Sequence, residues 1–130
     1  MKHYNVVAAV VCHDGKYLCM QKGKTKFEYT SYKWEFPGGK IEPGETPRQA
    51  LARELMEEME YPVEVGEELV TVNHEYPDFS ITMTAFLCMP KGDADGFKRR
   101  EHADSKWCSQ EELKGLDWAA ADVGVVASIL

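Results

Sequence analysis

Apolar residues in the first third of the chain occur in short runs that are typical of buried β-strands. Residues 6–12 form a run rich in β-branched side chains, and an Asp-Gly turn separates it from a second run at residues 17–21. A polar, lysine-rich loop occupies residues 22–33. Residues 34–36 then form a third short strand, which we expect to end abruptly at Pro37, Gly38 and Gly39. The pattern predicts a hairpin and a third strand ahead of any helix.

The spacing of apolar residues changes to a helical period after Thr46. We expect Thr46 to cap a helix that begins at Pro47, with Gln49 completing a capping box, and Pro62 to stop it. Four apolar residues at helical spacing would form its buried stripe: Ala50, Leu51, Leu55 and, one turn further on, Met59.

The second half of the chain returns to the period of strands before a final helix. Residues 63–75 and 79–89 are expected to pair around a turn, and residues 91–104 to form a long loop. A short strand at 105–108, a helical turn capped by Ser109, and a helix over 119–130 complete the pattern. This periodicity predicts a single domain over residues 1–130, of the α/β or α+β class.

Composition and charge narrow the partners that we expect. The 130 residues carry a net charge of −7, which disfavours a nucleic-acid polymer or an anionic membrane as the partner. No two of the four cysteines form a C-x-x-C pair, so we expect reduced thiols in a cytoplasmic protein rather than a zinc site. No apolar stretch reaches the ~18 residues of a membrane-spanning helix.

Three acidic residues of the predicted helix share one face. Glu54, Glu57 and Glu58 lie at i, i+3 and i+4, so their carboxylates fall within one sector of about 100°. Like charges in this arrangement repel one another. The helix follows a Gly-rich turn, and carboxylate oxygens are ligands for hard cations, so the pattern indicates a Mg²⁺ site. The alternative interpretation is a solvent-exposed acidic face, which is what most runs of acidic residues form.

The segment around these acids resembles the Nudix box of the Nudix hydrolases. Gly39 is followed after five residues by Glu45, and after seven more by the run that begins Arg53-Glu54-Leu55. The sequence from Trp34 to Glu42 resembles the MutT-like subgroup, the branch that contains CTP pyrophosphohydrolases and 8-oxo-dGTP diphosphatases. The resemblance implies an α/β/α sandwich with a mixed, curved sheet between helices. One position departs, because Glu60 replaces the glycine that usually ends the box helix.

The resemblance implies which residues bind metal and which take part in catalysis. The implied cofactor is Mg²⁺, with Mn²⁺ as an alternative. Glu54 would bind the metal through water or act as the base, and Glu101, in the long loop, would reach the metal or act as the general base. Arg53 would bind Glu45 and hold the loop against the helix. The implied metal ligands are the Gly38 carbonyl, Glu54, Glu57, Glu58 and Glu101.

The implied substrate is a small nucleotide, and five residues are candidates to contact it. Lys22 and Lys40 are placed to reach phosphate, although each could equally be a solvated lysine. Asp122, at the start of the last helix, occupies the position that reads the base edge in the subgroup, or else it complements the helix dipole. An ionised carboxylate only accepts hydrogen bonds, which suits the exocyclic amine of cytosine. The candidates are Lys22, Glu35, Lys40, Phe79 and Asp122.

Three functions compete at this point. The first is a Mg²⁺-dependent pyrophosphohydrolase that converts CTP, dCTP or a modified cytosine nucleotide to the monophosphate and pyrophosphate. The second is the same chemistry on 8-oxo-dGTP, as nucleotide-pool sanitising. The third is a non-catalytic nucleotide sensor, which is disfavoured because every acid of the box is present. The sequence leaves the oligomeric state open between monomer and homodimer.

Overall fold

A mixed β-sheet with helices on both faces forms the architecture in the computed structural model, which describes residues 1–130. The strands are β1 (Lys2–His13), β2 (Lys16–Lys22), β3 (Trp34–Glu35), β4 (Gly38–Lys40), β5 (Val63–Glu75), β6 (Phe79–Pro90) and β7 (His102–Cys108). The helices are α1 (Pro47–Met59), α2 (Gln110–Leu113) and α3 (Ala120–Ser128). None of the helices is long and apolar enough to cross a membrane.

Strand β1 lies at the centre of the sheet and organises it. The main path runs β3-β2-β1-β6-β5, with β1 and β6 parallel and the other pairs antiparallel. The first half of β1 also pairs with β4, and β7 pairs with the far side of β2. The predicted hairpins β1–β2 and β5–β6 are both present.

The side chains of β1 alternate between two cores. Val7, Ala9 and Val11 face α1, whereas Ala8 and Val10 face α3. On the α1 side, Ala50, Leu51, Leu55 and Met59 of the helix are buried against the sheet. Complete burial of a leucine side chain stabilises a fold by about 1.5–3 kcal/mol. The predicted helical stripe is confirmed, because these side chains are buried in the core between α1 and the sheet.

The predicted helix start is also confirmed. The Thr46 hydroxyl accepts a hydrogen bond from the Gln49 amide at 3.2 Å, and the Gln49 side chain accepts one from the Thr46 amide at 2.9 Å. This reciprocal capping box satisfies two donors that the first turn would otherwise leave unpaired. At the other end, Glu60 adopts the left-handed conformation with φ 47°.

Three of the predicted element boundaries were wrong. Strand β1 begins at Lys2 rather than at residue 6, because its polar start pairs in parallel with β6 from Phe79 onwards. Gly38 and Gly39 do not break the chain but form β4, which pairs with Val7 and Ala8 of β1. Strand β7 begins at His102 inside the expected loop, because β2 offers it a partner. Each error concerns polar or glycine residues whose strand structure depends on pairing with a distant partner.

Candidate active site

Two adjoining cavities form one cleft where β2, β3 and β4 come together. The larger has a volume of about 1010 Å³ and a wall rich in apolar and aromatic side chains, with lysines among them. The smaller has a volume of about 310 Å³ and contains no hydrophobic residue. Lys22, Glu35 and Gly38 line both cavities. The cleft therefore has an apolar end and a polar end, joined by three residues of the sheet.

Carboxylates from α1 and from the segment before β7 converge at the polar end. Glu58 and Glu101 line the smaller cavity, although they lie 43 positions apart in the sequence. Burial, together with the negative charges of Glu54, Glu101 and Glu35, raises the pKa of Glu58 to about 8. The fold thus holds like charges close together, and a bound cation would relieve this repulsion.

The acids of the α1 face are not equivalent in the structure. The Glu54 side chain is 13% exposed, whereas that of Glu57 is 61% exposed and accepts a hydrogen bond from Arg53 at 3.1 Å. Glu54 also contacts Arg53, at 3.0 Å. Glu57 does not line either cavity as the side chains are placed. Glu54 does not line either cavity itself, but it lies beside Glu58, because its charge adds to burial in raising the pKa of Glu58.

Arg53 joins α1 to the segment before it. Its guanidinium donates to both carboxylate oxygens of Glu45, at 2.6 and 2.9 Å, and to the Lys40 carbonyl at 3.0 Å. Hydrogen bonding to Arg53 lowers the pKa of Glu45, so this pair stays ionised. Glu45 lines neither cavity. Its place in the structure is to hold Arg53, as the box pattern implied, and not to contact the cleft.

The two glycines of β4 allow its backbone to lie against its neighbours. A Cβ atom on Gly38 would lie 1.9 Å from the Val7 carbonyl oxygen. A Cβ atom on Gly39 would lie 2.4 Å from the carboxyl carbon of Glu54. At Gly38 only glycine fits, because the neighbour is backbone, whereas a larger residue at Gly39 would displace the Glu54 side chain. This close approach puts the β4 backbone, with its carbonyl groups, next to the acidic residues of α1.

The donor set of the polar end fits a Mg²⁺ ion. As the side chains stand, no group of three or more His, Cys, Asp or Glu residues is placed so that it could hold a metal ion by itself. Mg²⁺ does not require one, because it keeps several waters and is usually bound by one or two carboxylates together with substrate phosphates. Glu58 supplies hard oxygen donors at this end, and burial together with the nearby charges of Glu54 and Glu101 raises its pKa.

Asp122 lies at the apolar end, where its side chain is buried between α3 and the sheet. It is only 2% exposed, and it accepts a hydrogen bond from the Phe36 amide at 3.0 Å. Burial first, and the charge of Glu35 second, raise its pKa to about 8. Burial therefore favours the neutral form of the carboxyl group in the unliganded protein. A neutral carboxyl group can donate as well as accept, unlike the ionised carboxylate considered from the sequence, and the part that Asp122 plays in reading the base stays a prediction.

The wall of the larger cavity contains aromatic residues that the sequence did not single out. Phe79, a predicted substrate contact, stacks on Tyr76 at 4.8 Å and on Phe27 at 5.9 Å. Tyr76 and Phe27 come from different elements, the start of the β5–β6 turn and the loop after β2. Lys40 lies over the Tyr4 ring at 4.2 Å. Since Phe27 belongs to an irregular loop, no periodicity in the sequence indicated its position.

His102 is a second residue that the sequence did not identify. Its Nε2 atom lies 3.1 Å from one carboxylate oxygen of Glu35, and Lys22 lies 3.5 Å from the other. Glu35 is thus held between two basic groups where the two cavities join. The available signal was the position of His102 directly after Glu101, in a strand that had been expected to be loop.

Comparisons with known proteins agree with this geometry. A family model described as the NUDIX domain matches residues 1–128. The chain is 37% identical to the CTP pyrophosphohydrolase of Escherichia coli K12, with 100% of this chain and 93% of that protein covered. It is 29% identical to the 8-oxo-dGTP diphosphatase of the same organism, with 99% and 98% covered. The solution structure of the E. coli ORF135 protein matches it with a TM-score of 0.82 and 35% identity, covering 99% and 89%.

These comparisons confirm the resemblance to the Nudix hydrolases and the predicted α/β/α sandwich. They also support an enzyme over a non-catalytic sensor, because the relatives are named for hydrolysis of a diphosphate linkage. The residue roles are not decided by these comparisons and remain predictions. The chain belongs to the NUDIX domain family and is a Nudix hydrolase that acts on the diphosphate linkage of small nucleotides.

Proposed function

We propose that the protein is a Mg²⁺-dependent nucleoside triphosphate pyrophosphohydrolase that prefers CTP, dCTP or a modified cytosine nucleotide. The products would be the nucleoside monophosphate and pyrophosphate. The observation that carries the proposal is the two-ended cleft, in which an acidic cavity adjoins an aromatic one through Lys22, Glu35 and Gly38. A nucleoside fits the apolar end and a metal-bound triphosphate fits the polar end.

At the polar end, the chain's residues have separable roles in this proposal. Mg²⁺, or Mn²⁺, bound at Glu54, Glu58, Glu101 and the Gly38 carbonyl would neutralise phosphate charge. Glu54 or Glu101 would accept the proton of the attacking water. Arg53 fixes Glu54 through a 3.0 Å contact and does not itself line the cleft. Glu57 would join the metal ligands only by leaving its contact with Arg53.

At the apolar end, we place Asp122 against the edge of the base and Phe79 against the base or ribose. A protonated carboxyl group both donates and accepts, so it can pair with the ring nitrogen and the amine of cytosine. Lys22 and Lys40 supply positive charge along the cleft of a chain whose net charge is −7. The cytosine preference rests chiefly on the relative named CTP pyrophosphohydrolase.

The alternative substrate is 8-oxo-dGTP, and one observation favours it. Because burial favours the neutral form of Asp122, its carboxyl group can donate as an amide does, which removes the objection raised by an acceptor-only carboxylate. A relative that covers nearly the whole chain is named 8-oxo-dGTP diphosphatase. We place either enzyme in the cytoplasm, because all four cysteines are free thiols.

A panel of nucleotides distinguishes the proposed cytosine substrates from 8-oxo-dGTP. Pyrophosphate release would be measured for CTP, dCTP, 5-methyl-dCTP, dGTP and 8-oxo-dGTP, each with Mg²⁺. The proposal expects kcat/KM to be highest for one of the cytosine nucleotides. A preference of about tenfold or more for 8-oxo-dGTP, equal to about 1.4 kcal/mol, would replace it with the alternative. Hydrolysis of none of these nucleotides would overturn the proposed substrate class.

A further inference from the structure

The left-handed residue at the end of α1 is a glutamate in this chain. Glu60 has φ 47° and ψ 43°, a conformation that glycine adopts freely and that other residues adopt with strain. The amides of Glu60 and Tyr61 donate to the Met56 and Leu55 carbonyls, so the backbone here terminates the helix. These amide bonds do not require a side chain, and glycine would form them with less strain.

The Glu60 carboxylate binds two basic residues of the segment that follows β6. Lys98 lies 3.0 Å from it, and the Arg100 guanidinium contacts the same oxygen. Arg100 also donates to the Glu57 carbonyl at 3.3 Å. Arg100 immediately precedes Glu101, the residue of this segment that lines the acidic cavity beside Glu58. Glu60 therefore connects the end of α1 to the position next to Glu101.

The rest of the segment has its own anchors, and they lie further from Glu101. The Lys98 amide donates to the Met59 carbonyl at 2.8 Å, and the Tyr61 hydroxyl donates to the Ala94 carbonyl at 2.8 Å. Phe97 packs edge-on against Tyr61. Arg99 contacts Asp104, which lies in β7 and not in α1. Between Lys98 and the start of β7, Arg100 is thus the residue whose side chain ties the backbone to α1.

Fold stability does not account for this glutamate. Its ion pairs with Lys98 and Arg100 are exposed, and exposed pairs stabilise proteins very little. The left-handed backbone opposes them by an amount of similar size. We propose that Glu60 is a positioning residue that, through Arg100 and Lys98, holds Glu101 at the acidic end of the cleft beside Glu58. The proposal rests on the proposed function, in which Glu101 acts on the metal or the water.

The test compares Glu60→Gly with Glu60→Asn, since glycine and asparagine both tolerate the left-handed conformation and both remove the charge. Melting temperature, kcat, the Mg²⁺ concentration for half-maximal activity, and amide exchange of residues 99–102 would be measured. We expect both variants to melt at or above the wild-type temperature. We also expect faster exchange, a higher Mg²⁺ requirement and a loss of kcat of about tenfold.

Arg100→Ala and two further variants sharpen the test. Arg100→Ala should reproduce the loss of kcat, and the double variant with Glu60→Gly should lose no more than either single variant. Asp14→Gly is the matched control, because Asp14 is also an exposed acidic residue with positive φ (51°), in the turn between β1 and β2. It should leave kcat and the Mg²⁺ requirement unchanged.

Several results would overturn the inference. Wild-type kcat and wild-type exchange in Glu60→Gly would show that the contact does not hold the segment. Faster exchange with unchanged kcat would show that Glu101 needs no such positioning. Additive losses in the double variant would show that Glu60 and Arg100 act separately. If the wild-type protein hydrolysed no nucleotide triphosphate, the proposed function would fail, while unaltered exchange in Glu60→Gly would separately refute the contact.

Discussion

The two ends of the cleft each hold a carboxyl group whose pKa burial raises to about 8, and the two groups differ in the charges that surround them. Besides burial, the carboxylates of Glu54, Glu101 and Glu35 raise the pKa of Glu58. Besides burial, Glu35 alone raises the pKa of Asp122, and the Phe36 amide donates to its carboxyl group. A bound cation would lower the pKa of Glu58 and so restore its negative charge. No cation is proposed beside Asp122, so its neutral form stays favoured. The same side-chain chemistry thus suits a metal ligand at one end and a hydrogen-bond donor at the other.

Replacing Glu58 by Gln should have the largest effect on activity. This variant tests whether the carboxyl group at the polar end of the cleft acts as a metal ligand. We expect kcat for the preferred nucleotide to fall by about 10²–10³-fold, because a charged ligand that acts in the transition state is lost. The melting temperature should hold or rise, since the repulsion with Glu54 and Glu101 is removed. Glu64→Gln, an exposed acid of β5, is the control and should keep full activity. Near-normal turnover in Glu58→Gln would remove this residue from the proposed metal site.

Arg53→Lys should have the next largest effect on activity. A lysine cannot make the forked contact with Glu45 while also reaching Lys40 and Glu54, so Glu54 would be less well positioned. We expect kcat to fall by about 10–100-fold, because displacement of a catalytic group is costly. Arg48→Lys on the same helix is the matched control, because Arg48 donates only to the Val65 carbonyl. Equal losses in both variants would show a general helix effect and not a role in the site.

Asp122→Asn should change the stability of the protein, and the size of the change depends on pH. The pKa of Asp122 rises from 3.8 in the unfolded chain to about 8 in the folded one. As pH rises between these values, the unfolded chain releases a proton that the folded protein keeps. The wild-type protein therefore loses stability by about 1.4 kcal/mol for each pH unit crossed, as an upper bound. Above the folded pKa the loss is complete and constant.

The asparagine variant does not titrate and still accepts from the Phe36 amide, so its advantage in melting temperature should grow from pH 4 to pH 8. Melting curves across this range measure the difference between the two proteins. Asp117→Asn, at an exposed residue of the turn before α3, is the control and should show no such trend. A difference that does not change with pH would mean that Asp122 is ionised throughout the range, and the two ends of the cleft would then not differ as described.

The parts predicted well from sequence are those governed by local rules. The capping box at Thr46 and Gln49 and the buried stripe of α1 depend on residues within one or two helical turns. The contact of Arg53 with Glu45 was implied by the box and is present. Strand β4 and the start of β7 were missed, because glycine and charged residues form strands only where a partner strand accepts their hydrogen bonds.

The sequence by itself determined the family, the acidic face of α1 and hence the class of bond that is cleaved, because these depend on the identity and spacing of nearby residues. Tertiary structure decided which acids share a cavity, since Glu58 and Glu101 meet only after β7 pairs with β2. It also decided the protonation of Asp122, because burial by α3 and the sheet, and not the residue type, sets its pKa. The spacing of residues along a chain indicates which chemical groups share a helix face. Desolvation, and the interaction of charges that are distant in sequence, arise only once the chain has folded.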